Sequence, residues 1–318
     1  MAAGLFNPIA GKFMTKAWLA DEIFPSLFQF YTEAEKQLNE TFFFPQPVYR
    51  PFISAKEQNQ WMGRSENAEL KFFIDKVFTR PAFESQIRNP FGGVLINRTG
   101  YLDTNLFMGA VRIFLQKQNA FQEGHLDPSH LKIAPDGILY EDLQAENIIF
   151  CDGLGCLDNP LFHWVPILSL KGEMLTIVLE EKLEAIFNRG IYIVPTAKNN
   201  FYLVGATYQP NEKRQCTTTD ARLELEEMLS SLIRIPYTIT HQNWGMRPAT
   251  PDIRPLLGAH PVFKNVIIFN GLGTKGVSLA PYFSNLLAAW LDGQAEIPFE
   301  VNIERFKALY SKFSLTSL

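Results

Sequence analysis

Apolar residues recur at helical spacing in several parts of the chain. Between residues 21 and 39, apolar side chains return every three or four positions, starting at Ile23 and Leu27, which predicts an amphipathic helix. A further helix is predicted to start with Asp103 or Thr104 as its N-cap and to run to about residue 118. The same spacing predicts helices at residues 55–65, 220–234 and 277–291.

Short β-rich runs fill much of the remaining sequence. Residues 168–179, 190–195 and 201–205 are separated by turn residues, which predicts an antiparallel sheet. Residues 42–52 are aromatic, but three prolines interrupt them, so an extended or edge strand is expected there in preference to a central one.

Two short apolar strands, at residues 147–151 and 266–269, each run into a glycine-rich turn. In the second case a predicted helix follows the turn at once, as in α/β proteins. The antiparallel strands lie between these two units along the chain. The predicted fold class is therefore α/β plus α+β, with two domains interleaved in sequence.

Composition narrows the class of protein. The chain has 318 residues, of which 47% are apolar and 19% charged, as in a globular protein. Its net charge of −4 gives no electrostatic reason to expect nucleic acid binding. The three cysteines and five histidines form no metal-ligand or redox spacing, so no metal is expected. With neither a secretory signal nor an apolar run of roughly 18 residues, a cytoplasmic location is predicted.

Gly271, Gly273 and Gly276 match the pattern G-x-G-x-x-G between a strand and a helix. A complete dinucleotide fingerprint needs a second parallel strand with an acidic end about 20 residues later, and the sequence after the helix does not supply it. Two interpretations stay open. The amide groups of the helix start can hold an electron-rich oxygen, or the glycines form only a tight turn.

Arg247 lies between the turn residues Gly245 and Pro248, which restrict its backbone. A guanidinium held in this way can bind a carboxylate through two parallel hydrogen bonds. The alternative is a structural ion pair, for which Asp252 is the nearest candidate, and chemistry alone favours it. Arg254 is expected to have a structural part.

Several segments together resemble the D-amino-acid-oxidase-like FAD-dependent oxidoreductases, of the glycine and sarcosine oxidase type. Residues 245–252 are similar to their G-x-R-P-x-T-x-D signature, and residues 270–281 to a second signature of strand, glycine turn and helix. Residues 166–172 and 192–195 resemble two strands of the family, and residues 2–5 resemble the segment that passes the flavin.

The resemblance implies a Rossmann-like FAD domain interleaved with an antiparallel-sheet substrate domain. The FAD domain would comprise residues 1–41, 97–156 and 241–318, and the substrate domain residues 42–96 and 157–240. Family members begin with a strand, a glycine turn, a helix and a second strand. No such unit precedes residue 2, so an N-terminally truncated FAD domain with weak or absent FAD binding is expected.

The resemblance also implies the site residues. Arg247 would bind the substrate carboxylate, and Tyr192 is a second candidate catalytic residue. Thr274 occupies the position of another carboxylate-binding arginine in glycine oxidase, which weakens the expectation of a glycine-like substrate. The implied FAD contacts are Ala3, Gly4, Leu5, Gly153, Leu272, Gly273, Thr274, Lys275, Gly276 and Val277.

The implied reaction is oxidation of the C–N bond of a small amino acid or secondary amine by hydride transfer to the flavin. Water would then hydrolyse the resulting imine. Two alternatives remain: a related flavin domain that modifies the wobble uridine of tRNA, and a non-catalytic fragment that holds no flavin. The acidic composition counts against the tRNA alternative.

Overall fold

The computed structural model describes residues 2–10, 15–64 and 67–316. In these residues the α-helices are α1 (Ala20–Leu38), α2 (Ala55–Arg64), α3 (Ala68–Lys71), α4 (Thr104–Lys117), α5 (Thr219–Leu232), α6 (Gly276–Leu291) and α7 (Lys307–Thr316). Short 3₁₀ helices cover Pro128–His130, Gly153–Leu157, Gly273–Lys275 and Ile303–Phe306. None of the helices described is long and apolar enough to cross a membrane.

The strands are β1 (Leu5–Phe6), β2 (Ile9–Ala10), β3 (Thr15–Lys16), β4 (Phe43–Pro45), β5 (Val48–Pro51), β6 (Ile74–Phe78), β7 (Gly93–Ile96), β8 (Gly100–Leu102), β9 (Lys132–Ala134), β10 (Gly137–Tyr140), β11 (Leu143–Ala145), β12 (Ile148–Phe150), β13 (Leu168–Leu179), β14 (Ile186–Arg189), β15 (Ile191–Pro195), β16 (Phe201–Gly205), β17 (Gln209–Pro210), β18 (Tyr237–Ala249), β19 (Leu256–Ala259) and β20 (Val266–Asn270). The mixed α/β plus α+β class expected from the sequence is confirmed.

The chain divides into two compact units, each discontinuous in sequence. Unit 1 comprises Met1–Ala120, Gly172–Tyr208 and Arg214–Gly245, and unit 2 comprises Phe121–Lys171, Gln209–Lys213 and Met246–Leu318. Residues 1–41 and 97–120, which were assigned to the FAD domain from the sequence, thus belong to the unit that holds most of the large sheet. The predicted domain boundaries concern ligand binding and stay a prediction.

The main sheet of unit 1 runs in the order β13-β16-β15-β14-β5-β7-β6. Its neighbours are antiparallel except β14 and β5, which are parallel. Helix α5 contributes Leu225, Leu229 and Leu232 to the fully buried core that covers one face of this sheet. These leucines recur at the spacing that predicted the helix, so the antiparallel sheet and its helix are both confirmed.

Strand β5 corrects one prediction. Residues 48–51 were expected to be extended or at a sheet edge, yet β5 lies between β14 and β7. The prolines bracket the strand and leave its centre intact: Pro47 precedes it, and Pro51 ends it opposite Gly93. The edge prediction was therefore wrong for this segment, because a missing N–H matters only where a ladder bond is needed.

A three-stranded sheet, β1-β8-β4, packs in unit 1 with the aromatic side chains of α1. Phe6 stacks on Phe43, with ring centroids 5.2 Å apart. Gly4 has φ +68°, and a Cβ at that position would overlap the carbonyl of Leu102. Only glycine allows the chain to pass so close to β8.

In unit 2 the strand β20 lies between β12, which is parallel to it, and β19, which is antiparallel. The buried core below this sheet includes Val266 and Ile268 of β20 with Trp164 and Leu256. Helix α6 follows β20 as predicted. The sheet β9-β10-β11 was missed, since its strands have only three or four residues and little alternation.

Candidate functional site

The carboxyl ends of the parallel strands β12 and β20 lie side by side in unit 2. The Nδ2 atom of Asn270 donates to the carbonyl of Gly153 at 2.8 Å and to Asp152 Oδ1 at 3.2 Å. Its Oδ1 atom accepts from the N–H of Gly271 at 2.8 Å. One buried amide thus joins the two loops that leave these strands. Ligands of open α/β sheets bind at this edge.

The turn after β20 requires glycine. Gly271 and Gly273 have φ values of +72° and +56°, in the left-handed region. A Cβ at Gly271 would lie 2.9 Å from Thr250 Cγ2, so the position is also closely packed. Lys275, the N-cap residue of α6, makes no side-chain cap hydrogen bond. The helix start therefore presents amide groups and partial positive charge that no side-chain cap occupies.

Arg247 lies within strand β18 and is half-buried. The expectation that turn residues flank and fix it was wrong, since Gly245 and Pro248 both belong to the same strand. A local glycine or proline does not end a strand whose neighbours on both sides stay extended.

The expected ion pair between Arg247 and Asp252 is not formed. Arg305 holds that carboxylate instead, with its Nε atom 2.9 Å from Asp252 Oδ2. Burial raises the pKa of Asp252, but hydrogen bonds from Arg305 and Thr250 outweigh burial and hold it below its usual value. Within residues 2–10, 15–64 and 67–316, the side chain of Arg247 has no hydrogen bond or ion pair. The guanidinium is therefore available to a ligand.

The end of β18 reaches the glycine turn. Ala249 and Leu272 form an antiparallel bridge. A Cβ at Gly273 would lie 3.7 Å from the Cβ of Ala249. Because side chains alternate along a strand, Arg247 and Ala249 belong to the same strand face. The Arg247 side chain therefore leaves β18 on the same face as Ala249, the residue that contacts the turn.

A second cation lies in this turn. Lys275 is half-buried, and burial, followed by the nearby charge of Arg254, lowers the pKa of its ammonium. Thr274 is exposed. Gly153, with φ +59°, lies against β18, since a Cβ there would be 3.8 Å from Pro248 Cγ. The predicted residues of unit 2 are thereby brought together.

The other predicted site residues belong to unit 1. Ala3 and Gly4 lead into β1, where Leu5 pairs with Tyr101 of β8. Tyr192 lies on β15 opposite Gly205, where a Cβ would be 3.0 Å from the tyrosine hydroxyl. The ring therefore extends over a glycine. In the part of the chain that the structure describes, no group of three acidic, histidine or cysteine residues could hold a metal.

The structure also adds residues that sequence reasoning missed. Asn270 was seen only as part of a resemblance, although a polar residue at the end of a buried strand is itself a signal. Asp152 follows the other parallel strand in the same way. Arg305 gave no signal, because 53 residues separate it from the carboxylate that it binds.

A comparison with family models matches residues 3–290 to the family described as FAD dependent oxidoreductase, DAO. The glycine oxidase of Geobacillus kaustophilus has a similar fold, with a TM-score of 0.77 and 17% sequence identity. That comparison covers 94% of this chain and 85% of the oxidase chain.

Curated relatives match over about half of the chain. The bifunctional protein ThiO/ThiG of Trichormus variabilis is 29% identical over 167 residues, which are 49% of this chain and 24% of that protein. The tRNA 5-methylaminomethyl-2-thiouridine biosynthesis protein MnmC of Hahella chejuensis is 27% identical over 167 residues, 47% of this chain and 26% of that protein. The chain thus spans about a quarter of the length of these relatives.

Proposed function

The chain belongs to the family of FAD-dependent oxidoreductases, and we propose that it oxidises the C–N bond of a small amino acid or secondary amine. Similar proteins include a D-amino acid dehydrogenase of Helicobacter pylori and an iminodiacetate oxidase of Chelativorans, whose names describe small carboxylate-bearing amines. The proposed substrate of this protein is likewise a small amine that carries a carboxylate.

The residues present fit the flavin end of FAD. Gly271 and Gly273 take left-handed φ values that shape the turn before α6, and the start of α6 has no side-chain cap. A flat ring with an electron-rich carbonyl suits the uncapped amide groups of this helix start. When bound, FAD would accept the hydride from the carbon next to the nitrogen. Leu272 to Val277, with Gly153, are the proposed contacts in unit 2, and Ala3 to Leu5 of unit 1 stay contacts that only the family resemblance implies.

Arg247 is proposed to bind the substrate carboxylate and so to fix the orientation of the amine. The observation that carries this proposal is that Asp252 is already held by Arg305, so the Arg247 guanidinium has no acidic partner among the described residues. A bidentate guanidinium–carboxylate pair fixes a plane as well as a distance. Tyr192, half-buried on β15 of unit 1, stays a candidate catalytic residue that the family resemblance implies.

The test compares Arg247→Lys and Arg247→Met with the unchanged protein, using sarcosine, D-alanine and glycine as substrates. We expect KM to rise about 10- to 100-fold in Arg247→Met, since a lost charge-assisted bond is worth about 1.5–3 kcal/mol. Arg247→Lys should recover part of the loss. Arg80→Met, at an exposed arginine, removes the same charge as Arg247→Met, serves as the control and should leave KM unchanged.

The bound FAD is measured by its visible absorbance in every variant. If Arg247→Met keeps both its FAD content and its KM, the assigned role of this residue is wrong. If the purified unchanged protein is colourless and takes up no added FAD, the non-catalytic alternative replaces the enzyme.

A second candidate is modification of tRNA, which the similarity to MnmC favours. The net charge of −4 opposes it, because binding to phosphates needs clustered basic side chains. Filter binding with unfractionated tRNA distinguishes the two candidates. Retention of tRNA that falls as salt is added would support tRNA modification over the oxidation of free amines.

A further inference from the structure

Unit 1 contains a cavity of about 520 Å³ at the tip of the hairpin formed by β15 and β16. The hairpin loop, residues 196–200, forms one side, and β4 with Tyr101 of β8 forms the other. Tyr192 lies three positions before Pro195, the last residue of β15. This volume is typical of pockets that bind small organic ligands.

The floor of the cavity is aromatic. Phe44 and Tyr101 stack with their centroids 4.8 Å apart and an angle of 18° between the rings. Phe201 and the buried Tyr202 line the wall beside them. Ring faces and edges of this kind favour a flat or apolar ligand body.

One polar group in this floor has no partner. Tyr101 is only 7% exposed, and its hydroxyl makes no hydrogen bond within the part of the chain that the structure describes. Burial raises the pKa of this phenol to about 12, so it stays protonated and can donate. The hydroxyl of Tyr202, by contrast, accepts a hydrogen bond from the N–H of Leu183 at 3.0 Å. The protein does not fully enclose the Tyr101 hydroxyl, so this donor is available to a ligand acceptor.

The rim carries positive charge. Lys182 and Lys198 are the charged side chains among the described lining residues, and no acid lies among them. Lys198 Nζ lies 3.7 Å from the centre of the Phe201 ring, which holds its charge at the cavity. Lys182 has no ion-pair partner among the described residues. The side-chain amides of Gln46 and Asn199 make no hydrogen bond within the same part of the chain. These donors suit an acidic head group.

We propose that this cavity binds a small carboxylate with a flat, apolar body, whose body packs on Phe44 and Tyr101 and whose carboxylate faces Lys182 and Lys198. The Tyr101 hydroxyl donates to an acceptor on the ligand. A phosphate ester without an apolar body is a poorer match, because it would leave the aromatic rings that line the cavity without a partner.

The probe is benzoate, titrated into the full-length chain by calorimetry, with neutral benzamide as its charge control. We expect saturable benzoate binding with a Kd of about 1–10 mM, typical of a ligand of this size, and at least tenfold weaker benzamide binding. Lys182→Gln combined with Lys198→Gln should weaken benzoate binding at least tenfold, and Tyr101→Phe should weaken it about threefold or more. Lys117→Gln, which removes one exposed lysine charge of α4 away from the cavity, is the control for a lost surface charge and should change nothing.

The variant Arg247→Met separates this cavity from the proposed substrate site. Benzoate binding that survives in Arg247→Met and fails in the double lysine variant supports the cavity. Binding that fails in Arg247→Met and survives in the double lysine variant overturns the proposal, as does the absence of saturable binding in the unchanged protein. Circular dichroism of each variant checks that a loss of binding is not a loss of fold.

Discussion

The amide of Asn270 should be among the most sensitive polar groups of unit 2. Asn270→Ala removes three hydrogen bonds, of 2.8, 3.2 and 2.8 Å, and leaves the carbonyl of Gly153 and the N–H of Gly271 without that partner. The side chain is 3% exposed, so water does not easily replace it. With each unsatisfied buried group costing about 1–3 kcal/mol, we expect a loss of roughly 2–4 kcal/mol in the free energy of unfolding.

Urea unfolding followed by tryptophan fluorescence measures this loss. Asn270→Asp nearly preserves the shape and keeps an acceptor for Gly271, but it loses both donations and places a second carboxylate beside Asp152. A similar loss of stability in Asn270→Asp would therefore show that the effect comes from the lost hydrogen bonds and the added charge, since the shape of the side chain is nearly unchanged. Asn265→Ala removes a single bond, 2.8 Å to the carbonyl of Ala134, and should cost about 1 kcal/mol or less. If Asn270→Ala costs no more than Asn265→Ala, the reasoning is refuted.

Two further substitutions test the surroundings of this turn. Gly271→Ala and Gly293→Ala introduce a Cβ at nearly equal φ values of +72° and +70°, but only Gly271 has neighbours within 4 Å. We expect Gly271→Ala to destabilise by about 1–2 kcal/mol more in urea, and equal losses would contradict the packing argument. His260 is buried, and burial, followed by the charge of Lys264, lowers its pKa from 6.5 to about 4. The unfolded chain then binds the proton more readily, so stability present above pH 6.5 should fall towards pH 4 by up to about 3 kcal/mol. His260→Asn, which does not titrate, should remove that part of the pH dependence of urea unfolding, and an unchanged dependence would exclude His260 as its source.

Local patterns predicted those elements that local chemistry controls. Helix α5 follows from leucines at helical spacing, and α4 begins where Asp103 accepts from the N–H groups of Asn105 and Leu106. The prolines around β5 misled the interpretation, because their effect depends on which ladder bonds the neighbouring strands need. Those neighbours, β14 and β7, are distant in sequence.

The candidate site could be predicted only in part, for a similar reason. The glycine turn and Arg247 are visible in a single stretch of sequence, and their adjacency follows from a strand that leads back to the turn. The partner of Asp252 depended on Arg305, which a local reading could not reach. The role of Tyr192 and the segment from Ala3 to Leu5 stays a prediction, as do the domain boundaries and the cytoplasmic location.

The pairing of charges in unit 2 explains why Arg247 is the better candidate for ligand binding than its neighbours. Arg305 donates to the Asp252 carboxylate and also to the carbonyls of Asn302, Arg254 and Pro255, so its donors are largely used within the protein. A half-buried cation without an acid nearby loses part of its hydration and gains no Coulomb energy in return. A carboxylate ligand supplies that missing charge. Arg305 therefore closes the loop of Asp252, and Arg247 remains the proposed partner of a substrate carboxylate.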